Sequence, residues 1–392
     1  MTLVCFDDAV ARDFAPFALT RPACELRAGA EVVRRRWEIA LGVPASGFIG
    51  APHLADFDEP WAPGAVTGTL DAGTIVAQSR CAVALQRAPD ADVWRCQGRM
   101  AAVRLAKPTA VADIGSLEAL APAQARQAEV EGWWLDQVWD LVRHLPEMLA
   151  ADVPAIAATI ELDAHHEVTR VGHHEVFVER GATLEPFVVF DASAGPVLVR
   201  GRATVQAFTR LVGPCYVGEG TVVAGGRVAT SALGETCRVH GEVSHSIFLG
   251  HTNKAHDGFL GHSVLGRWVN LGAATVTSNL KNTYGSVSLW TPRGVASTGL
   301  QFLGAFIGDH ARTGIGTRLT TGCVVGAGAN VIADGVVPRE VPPFAWGADG
   351  SGTWELERFL AAAERMMQRR QVPLTERARR QLAAAWQLQQ RK

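Results

Sequence analysis

The sequence predicts a mixed α/β domain, then a three-sided parallel β-solenoid, then a helical tail. Three observations carry this. An aliphatic residue recurs every six positions over long stretches between Val199 and Val337, the 40 glycines crowd after residue 181, and two amphipathic stretches follow Pro343. An ordinary strand would give a period of two and a helix one of 3.6. A period of six fits short strands joined by tight corners, one inward side chain per side, so that three sides close a coil.

The α/β domain is read from short apolar runs, Leu3–Phe6, Thr74–Ala77 and Met100–Leu105, set among turn-rich segments. TLVCF looks like a strand, and the segment after it ends in a helical pattern containing Val32, Val33 and Trp37. Trp133 to Leu149 reads as an amphipathic linking helix, giving expected domains 1–160, 161–345 and 346–392.

The solenoid is read by stepping in sixes. Val199, Val205, Leu211, Val217, Val223 and Ala229 keep the beat, Glu235 and Gly241 miss it, and Ile247 resumes it. Asn253 breaks it again before Phe259, Leu265 and Leu271. The phase returns at Ile307 and runs through Thr313, Leu319, Val325 and Val331 to Val337. An earlier register, Val178, Leu184 and Phe190, carries it upstream. Glycines serve the corners, where positive φ or close backbone approach is needed. Stacked at about 4.8 Å per strand, about eight coils from Val199 to Pro342 are expected. Between Thr277 and Ile307 the beat is lost, which marks a loop or hairpin leaving one face. In the tail, Thr353 and Thr375 are the expected N-caps of two helices whose apolar stripes pack on the solenoid or a neighbouring copy.

Composition excludes several roles. A formal charge of −2 and a pI near 6.6 give no basic excess for nucleic acid. No apolar run approaches the ~20 residues of a bilayer span, and MTLVCFDDAV has no secretory pattern, so a cytoplasmic protein without a membrane partner is expected. Seven dispersed cysteines without a CxxC pair read as reduced thiols.

The chemistry-bearing residues cluster in NKAHDGFLGHSVLGRWVNLGAATVTSNLKN, residues 253–282. His256 is a candidate base, since histidine is the side chain suited to take up a proton near neutral pH. The Gly/Ala turn Leu271-Gly272-Ala273-Ala274 offers main-chain N–H donors to a developing oxyanion. Lys254, Asn270, Asn279 and Lys281 offer amide and cationic groups to the hydroxyls and phosphate of a sugar.

The words N-K-A-H-D-G-F-L-G-H-S-V-L-G and V-N-L-G-A-A-T-V-T-S-N-L-K-N resemble the acetyltransferase half of the bifunctional N-acetylglucosamine-1-phosphate uridylyltransferase/glucosamine-1-phosphate acetyltransferase. LTRPACELRAG, WDLVRHLPE, VVFDASAGPV and TGLQFLGAFIGDHARTGIGTRLTTGCVVG resemble an alternative bacterial subfamily of that enzyme over nearly the whole chain. The resemblance implies an N-terminal nucleotidyltransferase-like domain, a left-handed β-helix and a homotrimer. It implies His256 as the acetyl-transfer base, Asn270 and Asn279 as sugar-phosphate ligands, and Gly272, Ala273 and Ala327 at the acetyl-CoA site. The implied ligands are a sugar phosphate, acetyl-CoA and a nucleoside triphosphate with Mg²⁺. Phe259 and Leu280 stand where better-known members carry tyrosines, and the G-x-G-T-R-M loop of ordinary sugar nucleotidyltransferases is absent. Asp7 and Asp8 occupy roughly its place as candidate Mg²⁺ ligands, with Arg21 and Arg27 for the phosphates. Arg34, Arg35 and Arg36 read as a solvated helix face.

Two rival readings remain open from the residues. His240, His245, His251, His256 and His262, spaced 5, 6, 5 and 6 apart, suit a trimeric zinc hydratase of the γ-carbonic-anhydrase kind. HHEVTRVGHH, with His165, His166, His173 and His174, also invites a metal, though solvated strand residues account for it. The other rival is a sugar-1-phosphate nucleotidyltransferase or scaffold with one active domain.

Overall fold

The computed structural model describes residues 2–163, 169–333, 335–347 and 352–390. His165 and His166 lie outside the described residues. The chain divides into two compact units, Met1–Phe14 with Ala18–Asp140 and Leu374–Lys392, and Ala15–Phe17 with Leu141–Pro373.

The first unit is built on a six-stranded sheet. Its order is Gln127–Glu129, Val93–Cys96, Arg99–Arg104, Ile75–Gln78, Leu3–Phe6 and Ala45–Ile49. Leu3–Phe6 runs parallel to both its neighbours, while Arg99–Arg104 is antiparallel to both of its own. The chain leaves Leu3–Phe6 for one flank and returns to the other, so its carboxyl end is a topological switch point. The helix Val33–Leu41 buries Trp37 and stops at Gly42, whose φ of 65° is the left-handed geometry that ends helices.

Arg34 and Arg36 do not solvate this helix. Arg34 pairs with Glu25 at 2.5 Å and Glu38 at 2.8 Å, and Arg36 donates to the carbonyls of Ala28 and Val83; only Arg35 is exposed. The last helix, Glu376–Gln390, also belongs to this unit rather than to the solenoid. Arg380 meets Asp56 at 3.0 Å, and Gln381 donates to the Thr20 carbonyl. Thr375 caps it through Ala378 N–H, whereas Thr353 lies in the strand Gly352–Thr353 and caps nothing.

The second unit is the expected parallel β-solenoid. One face is a column of nine parallel strands from Val176–Val178 to Glu340–Val341, eight of them from Val197–Val199 onward. Its inward residues, Val199, Val217, Leu233, Phe248, Leu265, Ile307, Val325 and Val341, are all buried. The next face stacks Val205, Val223 and Val239 inward, and the third stacks Phe190, Leu211, Val228, Val243 and Leu260.

The missed beats have a simple cause. Val199 pairs with Val217 after 18 residues, but the next steps, to Leu233, Phe248 and Leu265, take 16, 15 and 17. Shortened corners move the inward position, so Val228 and Phe248 point into the core where Ala229 and Ile247 were expected. The break after Thr277 is the antiparallel hairpin Ser288–Thr291 with Gly294–Ser297, as expected. The helix Leu356–Gln368 packs Phe359 against Phe344 and His310, ring centroids 5.0 and 6.1 Å away.

All seven cysteines are free and buried, and no described helix is long and apolar enough to cross a membrane. Truncating an inward ring should be costly. Phe248→Ala is expected to lower unfolding free energy in urea by about 3–5 kcal/mol, whereas Phe208→Ala, at an exposed corner, changes it by less than about 0.5 kcal/mol.

Candidate functional sites

His256 sits at the corner between the second and third faces, on the turn that follows the strand Asn253–Lys254. Its side chain is exposed and makes no hydrogen bond among the described residues. Asn253 pairs with Asn270 in the next coil, so the Gly272–Ala274 turn stacks on the same corner directly after that of His256. The structure thus brings His256, Asn270, Gly272 and Ala273 together.

The donors on that turn are fewer than the sequence suggested. Leu271 N–H donates to Asn253 O, and Gly272 N–H to Thr313 O and its hydroxyl. Ala273 and Ala274 keep unspent N–H groups among the described residues, with Ala274 at a φ of 57°. The Asn270 Oδ1 accepts from Asn253 Nδ2 at 2.8 Å, leaving its own Nδ2 hydrogens for a ligand. Beside Asn270 on the same face stands Arg312. Its Nη2 is buried without a hydrogen-bond partner among the described residues. Burial, then the like charge of Arg365, holds the Arg312 guanidinium below its ordinary pKa. An anion placed there would relieve both effects.

Other candidates lie elsewhere. Asn279 is at the third corner, where its Nδ2 donates to His262 Nδ1 at 2.9 Å. Lys281 is tied within the insertion to the Ser286 carbonyl. Ala327 is buried at the corner between the first and second faces, away from that of Ala273 within the chain. Lys254 is 2 % exposed and points inward, in register with Val239. Its ammonium donates to the carbonyls of His240 at 2.7 Å and His256 at 2.6 Å, so its place is the interior rather than a ligand surface. Burial pushes that ammonium down to about 8 despite Asp257 nearby.

The five histidines do not converge. They spread over three corners, because spacings of five and six residues are about one side of a coil. His245 and His262 share one corner and stack at 4.5 Å, while His251 lies against Trp268 at 4.2 Å on another. His240 Nε2 meets Asp257 Oδ1 at 3.0 Å. Burial, and secondarily His245, pushes His262 down to about 4, so it is neutral near pH 7. No group of three metal-binding side chains occurs among the described residues.

The N-terminal candidates are rearranged. Arg21 pairs with Glu59 at 2.7 Å and Arg27 donates to the Ala30 carbonyl, both buried as structural groups. Asp7 and Asp8 do not form a metal site. Asp7 faces the interior and accepts from Ala23 N–H at 2.9 Å. Asp8 is held by Arg80 at 2.7 Å, Gln78 at 3.2 Å and Ala11 N–H at 2.9 Å, so a guanidinium stands where the cation was expected. These residues do not fit Mg²⁺.

What the sequence did not reveal is an open cavity of about 390 Å³ at the carboxyl ends of Leu3–Phe6 and Ile75–Gln78. Its lining includes Asp8, Gln78, Arg80, Arg95, Arg99 and Trp134. Arg99 lies 3.8 Å over the Trp134 ring, and the Gln78 Oε1 is buried without a partner among the described residues. Only strand pairing brings these residues together; no local motif announces them.

A chain of this kind, an α/β unit with a switch-point cavity followed in sequence by a β-solenoid, is similar to proteins named as nucleotidyl- and acetyltransferases. Residues 3–160 match the sugar nucleotidyl transferase family. The chain is GlmU-like at modest identity. It is 36% identical over 100 residues to the bifunctional sugar-1-phosphate nucleotidylyltransferase/acetyltransferase of Sulfurisphaera tokodaii, covering 26% of this chain and 25% of that one. It is 29% identical over 219 residues to the bifunctional protein GlmU of Methanococcus vannielii, covering 54% and 47%. An uncharacterised acetyltransferase, YaiX of Escherichia coli, matches at 24% over 194 residues, 46% of this chain and 77% of that protein. The chain thus spans a quarter to about half of the two bifunctional relatives.

Asp7 provides a test of the N-terminal arrangement. Burial raises its carboxyl to about 6 from 3.8, outweighing the Ser79 hydroxyl and Ala23 N–H. A raised carboxyl means the folded state holds this proton more firmly than the unfolded chain between about pH 4 and 6. The ionised group therefore costs about 3 kcal/mol above pH 6, and that cost fades as pH falls through this window. Asp7→Asn should raise urea stability at pH 7.5 and gain little at pH 4. A loss of stability at pH 7.5, or loss of a bound divalent ion, would return Asp7 to the metal.

Proposed function

We propose that the solenoid transfers an acetyl group from acetyl-CoA to the amine of glucosamine 1-phosphate, and that the N-terminal unit transfers uridylyl from UTP to N-acetylglucosamine 1-phosphate. The observation that carries the first half is an exposed imidazole, without a hydrogen bond among the described residues, on a turn that stacks on one with two unspent N–H groups. In this reading the amine attacks the thioester carbonyl while His256 removes its proton. The oxyanion is met by the N–H groups of Ala273 and Ala274, and collapse expels the CoA thiolate, which takes up a proton.

Asn270 donates to a sugar or phosphate oxygen. Arg312 beside it, whose Nη2 has no hydrogen-bond partner among the described residues, supports an acceptor that carries a phosphate. The bifunctional names of the relatives support the choice of an acetyl donor and a sugar phosphate. The expected assembly is a homotrimer. Within one chain Ala327 lies on a different corner from Ala273, so a neighbouring copy is needed to bring it to the thioester.

For the N-terminal half, the support is the family match and the switch-point cavity with Arg95 and Arg99 at its wall. These groups would hold the phosphates and Gln78 would accept from the base, while Trp134 braces Arg99. No step is assigned to Mg²⁺.

His256→Ala should slow CoA release from acetyl-CoA with glucosamine 1-phosphate by about 10²- to 10⁴-fold. Pyrophosphate release from UTP with N-acetylglucosamine 1-phosphate should be unchanged. Full CoA release by the variant would remove the imidazole from the chemistry.

A further inference from the structure

Lys254 occupies an anomalous place. On its face the inward column reads Val205, Val223, Val239, Lys254 and Leu271, a cation among aliphatic side chains. Removing an ammonium from water is unfavourable unless it is well paired. The acceptors present are two neutral carbonyls, those of His240 and His256, and Asp257 is the acidic side chain whose charge reaches it. An aliphatic residue would serve stability better here, as it does in the coils on either side.

What the ammonium supplies is local. One coil on, the Gly272 turn is laced to its neighbour by Gly272 N–H to Thr313 O and Gly316 N–H to Ala273 O, and closed on itself by Thr275 N–H to Gly272 O. The Ala255–Gly258 turn contributes no main-chain group to such bonds among the described residues. Its ties are the Lys254 ammonium on the His256 carbonyl and the exposed pair of Asp257 with His240. The same ammonium holds the His240 carbonyl, so one cation clamps two successive turns at this corner.

We infer that Lys254 is a positioning residue, which from inside the solenoid fixes the His256 turn and so the direction of its imidazole. This rests on the acetyl-transfer reading for its consequence in catalysis, but not for the clamp itself. A misdirected base slows the chemical step without weakening ligand binding, and small misplacements cost about 100-fold.

The test uses the full-length protein and Lys254→Met, with Lys254→Leu, the residue that fills the same column at 271, should the first fail to fold. Backbone hydrogen exchange, read by mass spectrometry, should quicken by about tenfold or more in peptides spanning 254–260 and stay unchanged in other coils. The melting temperature should hold or rise. CoA release with glucosamine 1-phosphate should lose about 100-fold in kcat, with KM for both substrates within about twofold.

Unchanged exchange at 254–260 overturns the clamp. Faster exchange with unchanged kcat overturns its role in positioning the base. A raised KM with intact kcat would return Lys254 to direct ligand contact, and a lower melting temperature with exchange rising throughout the solenoid would make it structural only. If the wild type releases no CoA while exchange quickens as expected, the clamp stands and the acetyl-transfer reading falls.

Discussion

The constraint on which the second unit depends is registry between successive coils. Each coil pairs with the next through short parallel ladders, and each inward side chain rests on its counterpart one coil away. No residue in this core reaches a distant partner in the way a sandwich core does. The interior is a sum of nearest-neighbour contacts. The corners inherit their order from it, so residues at equivalent positions of adjacent coils are neighbours whatever their separation in sequence. Thus the turn of His256 and that of Ala273 meet, while Asn279 and His262 share another corner.

Much of this was legible in the amino-acid order. The six-residue beat gave the solenoid, its upstream start and the hairpin excursion, because inward aliphatic residues and corner glycines leave a periodic trace. The exact inward residue was less legible where coils shorten to 15–17 residues, since a dropped corner residue leaves no mark of its own. Lys254 illustrates the limit. A lysine beside a histidine and an asparagine reads as a surface group, and only register with Val239 reveals that it points inward.

In the first unit local motifs were a poorer guide. Arg21, Arg27, Asp7 and Asp8 were attractive by type and proximity in sequence, yet burial turns the first three into structural groups and Arg80 takes both oxygens of the fourth. Of these four only Asp8 lines the cavity, alongside Gln78, Arg95, Arg99 and Trp134 from separate strands and Arg80 from the turn after Gln78. Such a site is non-local by construction, so no periodicity or short word could disclose it. The tail divides in the same way: Thr375 announced its helix correctly, but nothing in the stripe of Glu376–Gln390 said which unit it would cover.

The uneven coil lengths bear on how such a molecule changes over generations. Because a corner absorbs a lost or gained residue while the neighbouring rungs keep their pairing, deletions there slide the outer side chains around the prism without disturbing its axis. The exterior can be re-aimed one storey at a time. A chain of this design is free to shop among binding geometries by editing corner length alone, leaving the aliphatic pillars as they were.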